Sequence, residues 1–238
     1  MNNKSLYVVA IALFLGLYSL GSLLSGAFIK TKELERTVVV KGLSEKEVDS
    51  NRVIWPIKIS VLGNDYNEVS KKIEDDTQKV VNFLEINGVK KEFISVASPV
   101  VQDKYEFAYN ADNNVIFRYS VARTIMVSSS DVKNIKEINS KLFELSQNGV
   151  TFKYDEWDPK TAVEYSYTKL NDIKPKMIEE ATANAREVAE KFAKDSKSKL
   201  GKIKKATQGQ VEMKSRDKNS EDIKTLRVVV TVEYYLND

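Results

Sequence analysis

Three sets of residues in this chain could do chemistry or carry a contact. Asp155, Glu156 and Asp158 surround Trp157. Paired carboxylates serve as acid and base, or bind a hard cation through oxygen. On a strand, however, Asp155 and Trp157 share one face while Glu156 and Asp158 share the other, and no EF-hand spacing is present. A solvated strand end is the simpler reading. Lys197, Lys199, Lys202, Lys204 and Lys205 continue a basic run that begins at Lys191 and Lys194, with Asp195 its only acid. Lysines at the end of a helix complement its dipole; an anionic surface, such as lipid headgroups or cell-wall polymer, is the alternative. Tyr105, Phe107 and Tyr109 alternate onto one face of an extended segment beside a polar loop. Such a stripe is either half-buried core or a contact between subunits.

The missing residue types narrow the chemistry. The chain has no histidine and no cysteine. That removes the usual acid–base residue at neutral pH, thiol nucleophiles, disulfides and cysteine-ligated metals. It also removes a lipid-acylated cysteine as an anchor. No phosphate-binding glycine loop, nucleophile elbow or HExxH pattern occurs. Neither a metal nor a cofactor is expected. Without histidine the usual serine triad is excluded, and a Ser–Lys dyad is the main enzyme alternative. Nucleic acid is not an expected partner: 37 basic and 34 acidic residues leave a formal charge of only +3, and no aromatics interleave the lysines.

Residues 6–29 carry no charge. As a helix this run reaches roughly 36 Å, more than the about 30 Å of a bilayer's hydrocarbon core. It reads as a membrane anchor over residues 1–30, before a domain at 31–238 outside the cytoplasm. In a Gram-negative host that is the periplasmic side of the inner membrane. A cleaved signal peptide ending at Ser25-Gly26-Ala27 is the competing reading.

The elements beyond it come in a repeating order. Residues 37–43 and 52–62 read as strands with a polar turn at 45–51; Pro56 points to an edge or a bulge. A helix capped by Asn64 or Asp65 follows, with Tyr66, Val69, Ile73, Thr77, Val80 and Leu84 on one face and Asn87-Gly88 at its end. Strands at 93–101 and 115–127 lead to a second helix, capped by Ser130 or Asp131, lined by Val132, Ile135, Ile138, Leu142 and Leu145, and ended by Asn148-Gly149. Strands at 150–157 and 162–170 precede a long helix at 174–197, with Pro175 in its first turn and Ile178, Ala181, Ala185, Val188 and Phe192 as its buried stripe. Strands at 202–211 and 225–236 close the chain around a charged loop at 214–222. Paired strands alternating with three amphipathic helices predict an α+β fold with largely antiparallel pairing, preceded by one transmembrane helix.

Several stretches resemble the SIMPL-domain family. Thr37-Val-Val-Val-Lys-Gly42 is similar to that family's TVxGxG-type first strand, with Leu43 following Gly42 and the pattern's second glycine replaced. Val80–Val96 is similar to its helix–Gly–strand passage, Lys199-Leu-Gly201-Lys-Ile203 to its LGxVxxI, and Val228-Val-Val-Thr-Val-Glu-Tyr234 to its last strand. The anchor with Ile54-Trp-Pro-Ile57 looks like a membrane-anchored branch. The resemblance implies an extracytoplasmic α+β domain, self-assembly in some members and a link to oxidative-stress defence, and it supplies no catalytic residues. The expectation is a non-enzymatic cell-envelope protein working through protein contacts as a homo-oligomer. A sensor or adaptor binding one envelope partner, and a Ser–Lys hydrolase, are the alternatives.

Overall fold

The computed structural model describes residues 3–33, 36–106, 116–153 and 162–237, with the side chains of 11–26 described in the first stretch. The strand ladders built on residues 52–63, 119–129 and 199–208 are antiparallel, as strands arriving in pairs predict. Helices and strands are shared between two units, one formed by residues 1–46, 170–214 and 225–238, the other by 47–169 and 215–224.

In the first unit, α1 (Asn3–Glu33) precedes β1 (Thr37–Asp49). Sheet order is β1, then β9 (Ile223–Asn237), then β7 (Lys199–Gln208), with β8 (Glu212–Ser215) also on β9. Alternate residues of β9, Leu226, Val228, Val230, Val232 and Tyr234, are buried, as are Val40, Gly42 and Ser44 of β1. The helix that packs on this sheet is α5 (Leu170–Asp195), whose buried residues are Met177, Ala181, Ala185, Ala189 and Ala193. Four alanines at four-residue steps let a helix backbone come close to a strand. Ala181 and Ala185 of the expected stripe are among these, whereas Val188 and Phe192 are exposed, because the close approach favours small residues. The helix also starts four residues early, so Pro175 lies inside it, where it offers no N–H to the carbonyl one turn back.

In the second unit, β2 (Arg52–Gly63) pairs with β5 (Tyr119–Ser129) without a break, from Val53 opposite Ser129 to Gly63 opposite Tyr119. β6 (Glu164–Ser166) flanks β2, while β3 (Ile94–Val96) and β4 (Val100–Asp103) flank β5. Val53, Trp55, Ile57 and Ile59 are buried together with Val121, Ile125 and Val127, which is the alternation read from the sequence. α2 (Tyr66–Ile86) packs on them through Val69, Ile73, Thr77, Val80 and Leu84. Its stripe omits Tyr66, which is exposed. α3 (Val132–Lys141) and the short α4 (Phe143–Gln147) replace the single second helix, with Leu142 between them. Asp65 and Asp131 cap α2 and α3.

Other expectations are revised. β1 runs through residues 45–49, read as a turn because its side chains there are polar on both faces. The strand expected at 93–101 breaks at Ser98-Pro99. There β3 and β4 continue along one partner with one extra residue, since Val96 faces Ile125 and Val100 faces Ala122. β2 is not an edge strand. Ser60 donates to Thr151, so the even-numbered residues of β2 aim their backbone groups away from β5. Pro56 therefore lacks its donor on the side where β6 stops at Ile54. The strand at 162–170 shrinks to β6, and part of the loop at 214–222 is taken by β8. Among the described residues no helix is long and apolar enough to cross a membrane; the described side chains of α1 span about 24 Å, short of a bilayer core.

Three helices end in one way. Gly88 and Gly149 take positive φ, +92° and +79°, and the next residue donates back to Leu84 and Leu145. Lys197 does the same at φ +55°, with Ser198 donating to the Ala193 carbonyl at 2.8 Å. A left-handed backbone costs a residue with a Cβ about 1–2 kcal/mol, partly offset by glycine's greater chain entropy. Lys197→Gly is therefore expected to stabilise the protein by about 0.5–1 kcal/mol in thermal unfolding; a drop in Tm would contradict this account.

Candidate functional site

The β4 edge of the second unit holds an arginine between two tyrosines. Arg118 donates from Nε and Nη2 to one oxygen of Asp103, at 3.0 and 2.9 Å. Its guanidinium lies 5.4 Å from the ring centre of Tyr105 and 4.9 Å from that of Tyr119. Tyr119 meets Tyr66 edge-on at 5.7 Å. Asn64 holds residues 116–118: its side-chain oxygen accepts the Arg118 N–H, and its amide donates to the Ile116 carbonyl. Tyr105 sits in a turn, its N–H donating to Asp103 Oδ1, and not on an extended stripe. Phe107 and Tyr109 lie outside the described residues.

Around this clamp apolar side chains face solvent. Val100 is 68% exposed and Ile116 is 74% exposed; Val96, Val101 and Phe117 are also exposed. β4 pairs with β5, and among the described residues no strand lies on its other side. Arginine and tyrosine beside exposed apolar groups are residue types enriched at protein contacts, and held rigid they would lose little freedom on binding.

The hydrogen bond from Arg118 holds the Asp103 carboxyl below the usual carboxylate range, and Asp103 in turn raises Arg118. Because the carboxyl is depressed, the clamp is complete above the ordinary carboxylate value and is lost as pH falls through the lowered one. Arg118→Gln should move the Asp103 midpoint upward in a carboxyl NMR titration. An unmoved midpoint would show that the pair does not form in solution.

A second feature of this unit is a cleft of about 600 Å³ lined by Trp55, Phe152, Val163, Tyr165, Lys136 and Asp222 among others. Lys136 and Asp222 pair across 2.6 Å. That bond lowers Asp222 and raises Lys136, while burial and the Asp222 charge push the Tyr165 hydroxyl up. Near it, Lys224 is buried, donates to Ser215 Oγ at 2.9 Å and is pushed below the ordinary lysine range by desolvation. This is the spacing a Ser–Lys hydrolase needs, yet Ser215 is exposed on β8 and neither residue lines the cleft. Asp155, Glu156, Trp157 and Asp158 lie outside the described residues. Among the described residues no group of acids gathers as a metal site.

The predicted lysines fall in the first unit. Lys197 ends α5, and Lys199, Lys202, Lys204 and Lys205 lie on β7, exposed. Lys204 pairs with Glu233 at 3.1 Å and lies over the Tyr235 ring.

A family model described as SIMPL, protein of unknown function (DUF541), matches residues 38–234. The chain belongs to the SIMPL family. The match runs from β1 to β9 and so takes in both units. No curated protein matches the chain. In this SIMPL chain, Gly42 of the first-strand pattern is the residue on which α5 rests, and Gly201 of the later one sits against the Tyr235 carbonyl. Both motif glycines serve packing. Asp103 and Arg118 carried no sequence signal, because a salt bridge across a loop leaves no period.

Proposed function

We propose that this SIMPL protein is a non-enzymatic component of the cell envelope, that it works through protein contacts, and that it assembles with copies of itself. Residues 6–29 hold it at the membrane with the main domain outside the cytoplasm. The observation that carries the contact reading is the β4 edge, where exposed Val100 and Ile116 flank the Asp103–Arg118 clamp. An unpaired edge is a template for another chain unless charge or proline blocks it, and on β4 Val100 and Val101 are apolar and exposed. A link to stress defence rests on family resemblance alone.

Sedimentation of the full chain in detergent tests this. The wild type should form a defined oligomer, and Val100→Lys should shift it toward monomer while changing stability by no more than about 0.5 kcal/mol, as for a surface site. A wild type that stays monomeric at every concentration sinks self-assembly; a partner protein recovered with it in equal amount would then favour the adaptor reading.

A further inference from the structure

The lysine run and the chain's exit from α1 occupy one place in the fold. α1 ends at Glu33. Three residues later Arg36 is fixed to the first unit at two points: its carbonyl accepts the Leu236 N–H at 2.9 Å, and its guanidinium donates to Ser198 Oγ at 3.1 Å. Ser198 lies between Lys197 and Lys199. The exit from the helix is thus bonded directly to the middle of the basic segment.

Distance decides what this segment can reach. From Ile29, where the uncharged run stops, to Glu33 a helix advances about 6 Å. Three more residues add at most about 11 Å by any path. Arg36, whose side chain holds Ser198 between Lys197 and Lys199, then lies no more than about 17 Å beyond the apolar run. The headgroup layer is about 7 Å deep, and surface charge is felt for about 8 Å past it at physiological salt. Those two depths reach about 15 Å, close to the fully extended limit of about 17 Å, so any path short of full extension brings the segment into the field of a charged bilayer surface.

Its own balance suits that surface. Lys191 to Lys205 holds seven lysines and one acid, Asp195. Lys191 is taken by Glu187 and Lys204 by Glu233. Lys197, Lys199, Lys202 and Lys205 are exposed on the end of α5 and on β7, with Glu233 the nearby acid that also faces Lys205. We infer that these four lysines dock the first unit onto anionic lipid headgroups at the foot of the anchor, and so fix the domain against the membrane surface. This rests on the anchor reading of residues 6–29. The same lysines would keep β7 from pairing with another chain, which leaves assembly to the β4 edge.

The test reconstitutes the full chain with vesicles of zwitterionic phosphatidylcholine, or of the same lipid with 30% phosphatidylglycerol, separates them by flotation, and measures lysine acylation by mass spectrometry. Expected is flotation with both vesicles and a roughly threefold or greater drop in labelling of Lys197, Lys199, Lys202 and Lys205 on the anionic ones, reversed by 0.5 M salt. Lys199→Glu with Lys202→Glu should return Lys197 and Lys205 to the zwitterionic level. Flotation with both but equal labelling overturns the docking and leaves the anchor standing. Flotation with neither overturns both. Flotation with anionic vesicles only, stripped by salt, supports the lysine surface and removes the anchor.

Discussion

Gly42→Ala is expected to destabilise the first unit by about 3 kcal/mol or more, and Gly42→Val to prevent it from folding. A Cβ at this position would stand 1.8 Å from the Ala181 carbonyl oxygen and 2.6 Å from the Ala185 amide nitrogen, where real contacts do not fall below about 3.0 Å. Both clashing atoms belong to the α5 backbone. Trimming a side chain therefore gives no relief, and α5 itself would have to retreat. That retreat would open the row of Met177, Ala181, Ala185, Ala189 and Ala193, all now buried, and would pull on two polar ties from helix to strand. These run from Ser44 Oγ to Glu180 at 3.0 Å and from Asn184 to the Leu43 carbonyl at 2.8 Å. Urea unfolding of the full chain reads the effect. A loss under about 1 kcal/mol for Gly42→Ala would mean that α5 slides freely, and rescue by Ala181→Gly would mean that the clash is with a side chain.

The contrast between α2 and α5 shows where the sequence was readable. In α2 the large apolar residues at three- and four-residue steps are the buried ones, because a sheet of ordinary side chains leaves room for Val69, Ile73, Val80 and Leu84. In α5 the same search selects Ala181 and Ala185, which are buried, beside Val188 and Phe192, which the structure turns outward. The close approach at Gly42 leaves space for alanine alone, so the informative residues were the small ones, and the signal lay in a glycine some 140 positions away. Helix ends followed the same logic. Asn87-Gly88 and Asn148-Gly149 were visible, whereas Lys197 adopts the same backbone with no glycine to mark it. Of the three candidate aromatic contact residues only Tyr105 lies among the described ones, and what makes its surroundings a site, the Asp103–Arg118 clamp, joins residues far apart in the chain. The SIMPL resemblance located the first and last strands because motif and packing coincide there.

The buried carboxylate of Asp76 is the second position where one substitution should have a large effect. Asp76 is 1% exposed on α2. It accepts from Lys72, one turn before it, and from Lys79 at 3.3 Å, one turn after. Neither lysine stops there. Lys72 also donates to the Gly149 carbonyl at 3.1 Å and Lys79 to the Asn148 carbonyl at 3.4 Å. Those carbonyls end the α3–α4 segment, where backbone acceptors lack helical partners and favour positive charge. Asp76 therefore holds two cations in place to cap another helix. Asp76→Ala would remove the anion, leave two like charges facing each other and free both caps. The lysines are only about half buried and would be rehydrated, so the cost falls below that of breaking a fully buried pair, at about 2–4 kcal/mol. For a chain of this length that lowers Tm by roughly 4–16 °C. Lys72→Met alone should cost about 1 kcal/mol or less, because Lys79 still satisfies the carboxylate. A double-mutant cycle between Asp76→Ala and Lys72→Met should give a coupling of at least about 0.5 kcal/mol. If the two losses simply add, the carboxylate is not acting through the lysines, and the capping account of this junction is wrong.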